Sequence, residues 1–425
     1  MNYANRREKI YGPLREQGIF SWDFLYGQEY ALASPRELLQ CDRQELAYAT
    51  EKLGGIFRKM IAAVQQGNNG LLRELGIPSP MFGAIRLPMM PGMPTLIGRF
   101  DFARTAAGLK MLEFNADTPT GVVEAYCANG EVCRFFGRKN PNDGCAAHIT
   151  EAFAQGVEVY KEIGYPVDQV VFSALEWHTE DAGTVEYLKQ QSGLKACFTP
   201  LKDLRVYRDR LCMVMDREIV PVDVWHRLHP FCILSEEKDA EGYPTGAHVL
   251  DIIARKKLAV LNPPSALIAQ TKALQALIWN LYEAREFFNP AEREVISSYM
   301  LPTYLENRFE GICPYVTKPI LGREGGSVSI YDTDGTLLHQ SPDQSYQKQM
   351  MVFQKFVEME TITVETIEGQ RRGFPVWGSF LIGGKASAVN VRVGDCITDD
   401  LAYFLPVMYP VNSEFEGDKN GSAMG

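Results

Sequence analysis

The stretch that most limits how this chain can fold is TLIGRFDFARTAAGLKMLEFNADT, residues 95–118. Apolar and polar residues alternate along it, the period of a half-buried strand rather than a helix. Thr105–Gly108 is placed to turn the chain. In the first strand Phe100 and Phe102 share one face, and Arg99 and Asp101 the other. In the second, Leu112 and Phe114 point one way, and Glu113 and Asn115 the other. A hairpin of these strands buries its aromatics behind and presents four polar side chains together in front. Same-face neighbours lie roughly 6.5–7 Å apart along a strand. Oxygens from both strands can therefore converge on hard cations lying along a polyphosphate, and magnesium takes such ligands. Arg99 beside them can neutralise a transferring phosphoryl group. An exposed hairpin face of mixed charge would use the same residue types.

Helical and strand-like blocks alternate over the rest of the 425 residues, which is the pattern of a mixed helix-and-sheet enzyme body. Residues 36–66 carry helical spacing and predict two helices broken near Gly54–Gly55. A Pro-, Met- and Gly-rich linker, Pro78 to Pro94, precedes the hairpin. Residues 147–162, 184–192 and 265–285 read as helices, residues 169–175 as a short strand, and 205–225 as short strands around turns. From Tyr315 to about Val393 the chain is strand-rich, and residues 412–425 form a polar tail that predicts fraying.

Within that last region, YVTKPILGREGGSVSIYDTDG reads strand, glycine loop, strand. Gly322, Gly325 and Gly326 allow close approach of backbone N–H groups to phosphate oxygens, and Lys318 is placed to reach one as a point charge. The loop joins two strands and contains neither GxxxxGK[ST] nor GxGxxG opening a helix, so it is neither a P-loop nor a dinucleotide fingerprint. Gln354 and Lys355 interrupt an apolar strand, where they can meet an adenine edge or face solvent. Arg392 shares a strand face with Asn390 and offers a second phosphate partner.

Several classes fail on composition or spacing. A net charge of −10 and no basic run interleaved with aromatics argue against nucleic acid, and no apolar run reaches the roughly 18–20 residues of a membrane span. The charged start, without an apolar core, predicts no signal peptide, and nine scattered cysteines predict reduced thiols; together these predict a cytoplasmic protein. No GxSxG elbow occurs, and His226 and His229 lack the further ligands of a zinc site.

Five blocks taken in order resemble the glutathionylspermidine synthase family, in its stand-alone synthetase form. They are GRFDF with LEFNADTPTGVVEA, the loop from Glu180-Asp181 to Thr184, PSALIAQTKAL, YVTKPILGREGGSVSI, and GSFLIGGKASAVNVRVGD, which span roughly residues 8–412. The resemblance implies an α+β, ATP-grasp-like fold with a mainly helical part at 1–94, a metal and substrate region at 95–314, an ATP lid with nucleotide strands at 315–412, and a tail at 413–425. It implies magnesium ligands at Asp101, Glu113 and Asn115, and a phosphate-contacting arginine at Arg99. ATP contacts fall at Lys318, the Gly322–Gly326 loop, Gln354 and a second lysine, for which Lys348 is the nearest candidate. Arg392 matches an active-site arginine, and Thr118 and Ser265 lie where the family contacts its thiol peptide. One departure stands out. Where many relatives read a Trp-Glu pair, this chain reads Pro230-Phe231-Cys232, which puts spermidine itself in doubt as the amine.

The implied reaction uses ATP and Mg2+ to activate a carboxylate as an acyl phosphate, which an amine then attacks to give an amide. Such chemistry needs positioning and charge neutralisation more than a protein nucleophile. Two other readings use the same residues: an ATP-binding protein without ligase turnover, and a small-molecule kinase. The acid, the amine and the oligomeric state are not legible.

Overall fold

The computed structural model describes residues 1–88, 90 and 92–411; the predicted tail therefore lies outside the described residues. Three larger sheets organise it. The central one is antiparallel, in the spatial order Tyr403–Leu405, Lys385–Gly394, Gly369–Ile382, Ile97–Thr105, Gly108–Asn115, with Ile362–Thr366 paired to the start of Gly369–Ile382. The expected hairpin is its edge. Arg99 pairs with Asn115, Phe100 with Phe114 and Asp101 with Glu113. Behind them the Phe100 and Phe114 rings stack with centroids 3.8 Å apart, and Phe57 packs edge-on against both.

The alternation breaks at one residue. Phe102 pairs with Met111, so Leu112 is an extra residue, a bulge that shifts the register. Met111 takes the buried place expected for Leu112, while Leu112 is only half-buried. The bulge also aims the Leu112 carbonyl at Lys318 Nζ, 3.4 Å away.

The second sheet is parallel, in the order Ala259–Leu261, Val224–Arg227, Val170–Ser173, Ala196–Phe198. Three of its strands are buried on both faces, as parallel strands require, and the edge strand Ala196–Phe198 is half-buried. Phe172 and Val224 belong to one core, Val171 and Trp225 to the other. Asn262 fastens this sheet to the first. Its amide accepts from the Ile97 N–H and donates to the carbonyls of Ile97, Ala116 and Asp117, all within 3.1 Å. The third sheet runs Thr303–Tyr304, Met351–Lys355, Tyr315–Pro319, Ser329–Tyr331, Leu337–Gln340 and carries the glycine loop. A small meander, Leu204–Tyr207, Arg210–Met215, Glu218–Pro221, lies beside the parallel sheet. Pairing thus crosses the expected lobe limit at 314/315: Thr303–Tyr304 joins the lid strands, and strands 362–405 join the hairpin.

Two helical expectations change. Residues 40–66 form one unbroken helix, not two. Gly54 is used for close packing, since a Cβ there would lie 2.9 Å from the Leu381 side chain. Conversely, residues 265–285 are not one helix but two, Ala266–Gln270 and Lys272–Ala284. Thr271 makes the break: its hydroxyl caps the second helix at Ala273 N–H and donates to the Leu75 carbonyl at 2.9 Å. No described helix is long and apolar enough to cross a membrane.

Candidate functional site: a charged cleft under a glycine loop

The central sheet and the glycine-loop sheet close on a cleft that holds about 900 Å³ of open space, part of it exposed to solvent. Its lining includes apolar side chains, Leu301, Val316, Ile330, Met359 and Val376. It also includes charged ones, Asp101, Glu113, Lys272, Lys318, Arg323, Glu324, Lys355 and Arg392. Gly322, Gly325 and Gly326 line it as well. Gly325 has φ +68°, and a Cβ there would sit 2.5 Å from the Thr398 carbonyl, so the loop packs on segment 396–398 only without a side chain.

Two residues of the hairpin's polar face are nearly dry, while Glu113 keeps a quarter of its side chain exposed. Arg99 and Asp101 are 5% and 1% exposed. Arg99 grips Asp101 through Nε at 2.7 Å and Nη2 at 2.9 Å, and donates from Nη1 to the Thr120 carbonyl at 2.6 Å. Arg392 Nη2 donates to the same carboxylate at 3.1 Å. Asn115 Nδ2 donates to both Asp101 and Glu113, at 3.1 and 3.2 Å. Burial opposes the charge on Glu113, yet Lys272 and Lys318 outweigh it and hold the carboxyl down at about 2. Burial in turn pushes the Lys318 ammonium down to about 8, against the pull of Glu113. Lys318 donates to Gln354 Oε1 at 2.8 Å, and buried Gln354 donates onward to Thr303 Oγ1 at 3.1 Å.

Ten of the residues singled out from sequence are thus brought to one place: Arg99, Asp101, Glu113, Asn115, Lys318, Gly322, Gly325, Gly326, Gln354 and Arg392. Three are not. Lys348 is exposed and does not line the cleft. Two other lysines line it beside Lys318, Lys355 and Lys272; Lys272 is bonded to Glu113 Oε2 at 3.1 Å and to the Gly322 carbonyl at 2.8 Å. It went unnoticed because it lay inside an apparently continuous helix; Thr271, a capping residue just before it, is the signal that marks the break. Thr118 is half-buried outside the cleft lining, and Ser265 is buried with no hydrogen-bond partner for its Oγ among the described residues. Neither His226 nor His229 sits in the cleft: His226 bonds the Leu261 carbonyl at 2.7 Å, His229 the Glu237 carboxylate at 2.8 Å.

Next to the cleft lies an acidic neighbourhood that sequence reasoning did not assemble. Burial pushes the Glu180 carboxyl up to about 8, and the charges of Glu124 and Asp181 add to that. Burial also raises Glu324, a cleft residue; Asp400 and Asp181 raise it further, while Arg323 and Arg392 pull against them. Fully buried Glu124 accepts from Trp22 Nε1 at 2.8 Å and Tyr30 OH at 3.0 Å.

Asp101, Glu113 and Asn115 form a donor set that fits magnesium. Two carboxylates opposed in register already meet at one amide, which turned over would offer its oxygen instead. The set is small. No group of three or more His, Cys, Asp or Glu among the described residues could hold a metal by itself. The remaining oxygens would have to come from phosphate or water.

Residues 4–409 match the family described as glutathionylspermidine synthase preATP-grasp. A Haemophilus influenzae protein provisionally assigned as an acid–amine ligase is 24% identical over 318 residues, 74% of each chain. The apo structure of a glutathione synthetase-like effector from Globodera pallida covers 96% of this chain and 98% of its own, with a TM-score of 0.59 and 13% identity. That likeness speaks for the fold alone, which is α+β and ATP-grasp-like. Because the family match runs through almost every described element, the chain belongs to the glutathionylspermidine synthase preATP-grasp family.

Proposed function

We propose that this protein is an ATP- and magnesium-dependent ligase that joins a carboxylic acid to an amine. The observation that carries the reading is the make-up of the cleft: four cations (Arg99, Arg392, Lys272, Lys318) gathered around two carboxylates, in the same cleft as a glycine loop and apolar side chains. The apolar side chains suit a purine and Gln354 a base edge. Lys318, Lys272 and the loop suit a triphosphate, whose charge would also raise the Lys318 ammonium back towards its ordinary range. Asp101, Glu113 and Asn115 would hold magnesium, which supplies charge neutralisation for phosphoryl transfer.

In the first step an oxygen of the acid attacks the γ-phosphorus and ADP leaves. Arg99 and Arg392 would neutralise the charge that gathers on the equatorial oxygens. In the second, the amine attacks the acyl carbon, the C–N bond forms and inorganic phosphate departs. Glu180, Glu324, Asp181 and Asp400 would draw in a cationic amine, and a carboxyl titrating near 8 is matched to receive the proton the ammonium must shed before attack. The glycine loop keeps water from the acyl phosphate. The acid would lie towards Thr118 and Ser265 and come from a peptide such as glutathione; the amine would be a polyamine or a related base.

The test supplies ATP and magnesium with an acid alone, an amine alone, and both, and follows ADP and phosphate. ADP that appears only with both partners is the expected result. Phosphorylated product with no amine requirement would make the protein a kinase. Stabilisation by ATP and magnesium without turnover on any pair would leave an ATP-binding protein.

A further inference from the structure

The carboxylates that would take the metal are already occupied by the protein's own cations. Asp101 is held by Arg99 at two points and by Arg392 at 3.1 Å, and Glu113 by Lys272 at 3.1 Å. These are not loose surface pairs: Arg99 and Lys272 are each 5% exposed. Lys272 is moreover in an unfavourable place for a cation. It is the first residue of the helix Lys272–Ala284, where the backbone dipole repels positive charge. Two contacts offset that repulsion, Glu113 on one side and the Gly322 carbonyl, 2.8 Å away, on the other. Its backbone N–H is also tied to the same loop, through the Ile320 carbonyl at 2.9 Å. One residue therefore connects a metal-side carboxylate to the start of the glycine loop.

A divalent ion arriving alone must push three cations, two of them buried, off their partners and leave them unpaired, which is costly for the two buried ones, Arg99 and Lys272. It would also find only two carboxylates and one amide. A nucleotide changes both conditions. Its phosphates offer the cations new anionic partners and supply the missing oxygens. Building on the ligase reading above, we infer that divalent metal enters this site only together with nucleotide, and that Lys272 is the positioning residue enforcing this order. In the free protein Lys272 holds Glu113 and the loop; with nucleotide it moves to phosphate and releases both. Because coupling is reciprocal, metal tightens nucleotide by the same factor as nucleotide tightens metal.

Manganese provides a probe that needs no turnover. Free and bound Mn2+ are measured by electron paramagnetic resonance, with and without a non-hydrolysable ATP analogue, and the analogue is titrated separately in EDTA. The intact protein is expected to show no saturable Mn2+ binding below about 1 mM alone, and tight binding with the analogue, a coupling of about 100-fold. Lys272→Met should bind Mn2+ alone about tenfold more tightly and lose most of the coupling, while Lys272→Arg should keep the order. Micromolar Mn2+ binding by the intact protein without nucleotide overturns the inference and leaves the ligase reading standing. Retained order with no gain in Lys272→Met removes the role given to Lys272. An analogue that binds neither with nor without metal overturns the ligase reading and this inference together. The wild-type titration decides the order even if the variants fold poorly.

Discussion

Around Asp101 and Glu113 every carboxylate has a cation in hydrogen-bond reach; Glu180 and Glu324 have no direct ion pair among the described residues, and negative charge accumulates around them, with Asp181 alone paired, to His178 at 3.3 Å. The effect on the carboxyls is opposite. Glu113 is held down at about 2, while Glu180 is pushed up to about 8. Both groups are acids in crowded surroundings, so burial alone does not separate them; their charged neighbours do. A matched site presents cations that an anionic ligand can take over, whereas an unmatched one waits for a cation. On the reading proposed here the first receives the triphosphate and the second the amine.

The largest effect should come from breaking the matched side. Asp101→Asn keeps the shape but removes the charge that Arg99 and Arg392 share. Steady-state rates with saturating ATP, acid and amine should fall by about 1000-fold, the scale for losing a principal electrostatic contact at a transferring group. Thermal unfolding should still show one cooperative transition. A rate within tenfold of wild type would remove Asp101 from the site.

A third pair tells structural matching from functional matching. Arg227 Nη2 donates to Asp117 Oδ1 at 2.5 Å, both side chains at most 1% exposed, and Phe231 N–H takes the other Asp117 oxygen at 2.9 Å. Neither Arg227 nor Asp117 lines the cleft. Asp117→Ala leaves the guanidinium buried and uncompensated, and should cost about 3–5 kcal/mol in denaturant unfolding. Asp101→Asn should cost less, since the amide keeps an oxygen that accepts from Arg99, and Arg392 lines the cleft with a fifth of its side chain exposed. Equal losses would mean that the cleft's charges serve the fold rather than a ligand.

The matched side was legible in sequence because strand periodicity is local: four polar residues two apart on a hairpin must share a face, whichever sheet receives them. Even there the register slipped, since nothing in KMLEF announces that Leu112 is a bulge. Lys272 escaped for a similar reason, its place being set by Thr271 reaching the distant Leu75 carbonyl, a tertiary contact. Gly54 misled in the opposite direction; it is a packing residue under Leu381, and only the fold distinguishes that from a helix break. The acidic neighbourhood was least legible. Trp22, Glu124, Glu180, Glu324 and Asp400 come from five separate segments, and no spacing along the chain relates them.

The smallest effect, and the most diagnostic, belongs to Glu180. Its carboxyl titrates near 8 in the folded chain and near the ordinary 4.5 when unfolded. The folded state therefore holds the proton more tightly, and the stability this brings is complete below pH 4.5 and lost as pH rises through about 8. Without ligand, the denaturant midpoint should drift down between pH 5 and pH 8.5, and Glu180→Gln, which cannot ionise, should flatten that drift. A polyamine should flatten it too, by supplying the missing cation. In turnover assays at pH 8.5, Glu180→Gln should raise the amine KM about tenfold, the factor for one moderate charge-assisted contact, and leave the ATP KM unchanged. At pH 6.5, where wild-type Glu180 is already protonated, the two proteins should differ little. An equal rise in both KM values would place Glu180 in the phosphate end of the cleft; no change in either would leave the acidic side without a role in binding amine.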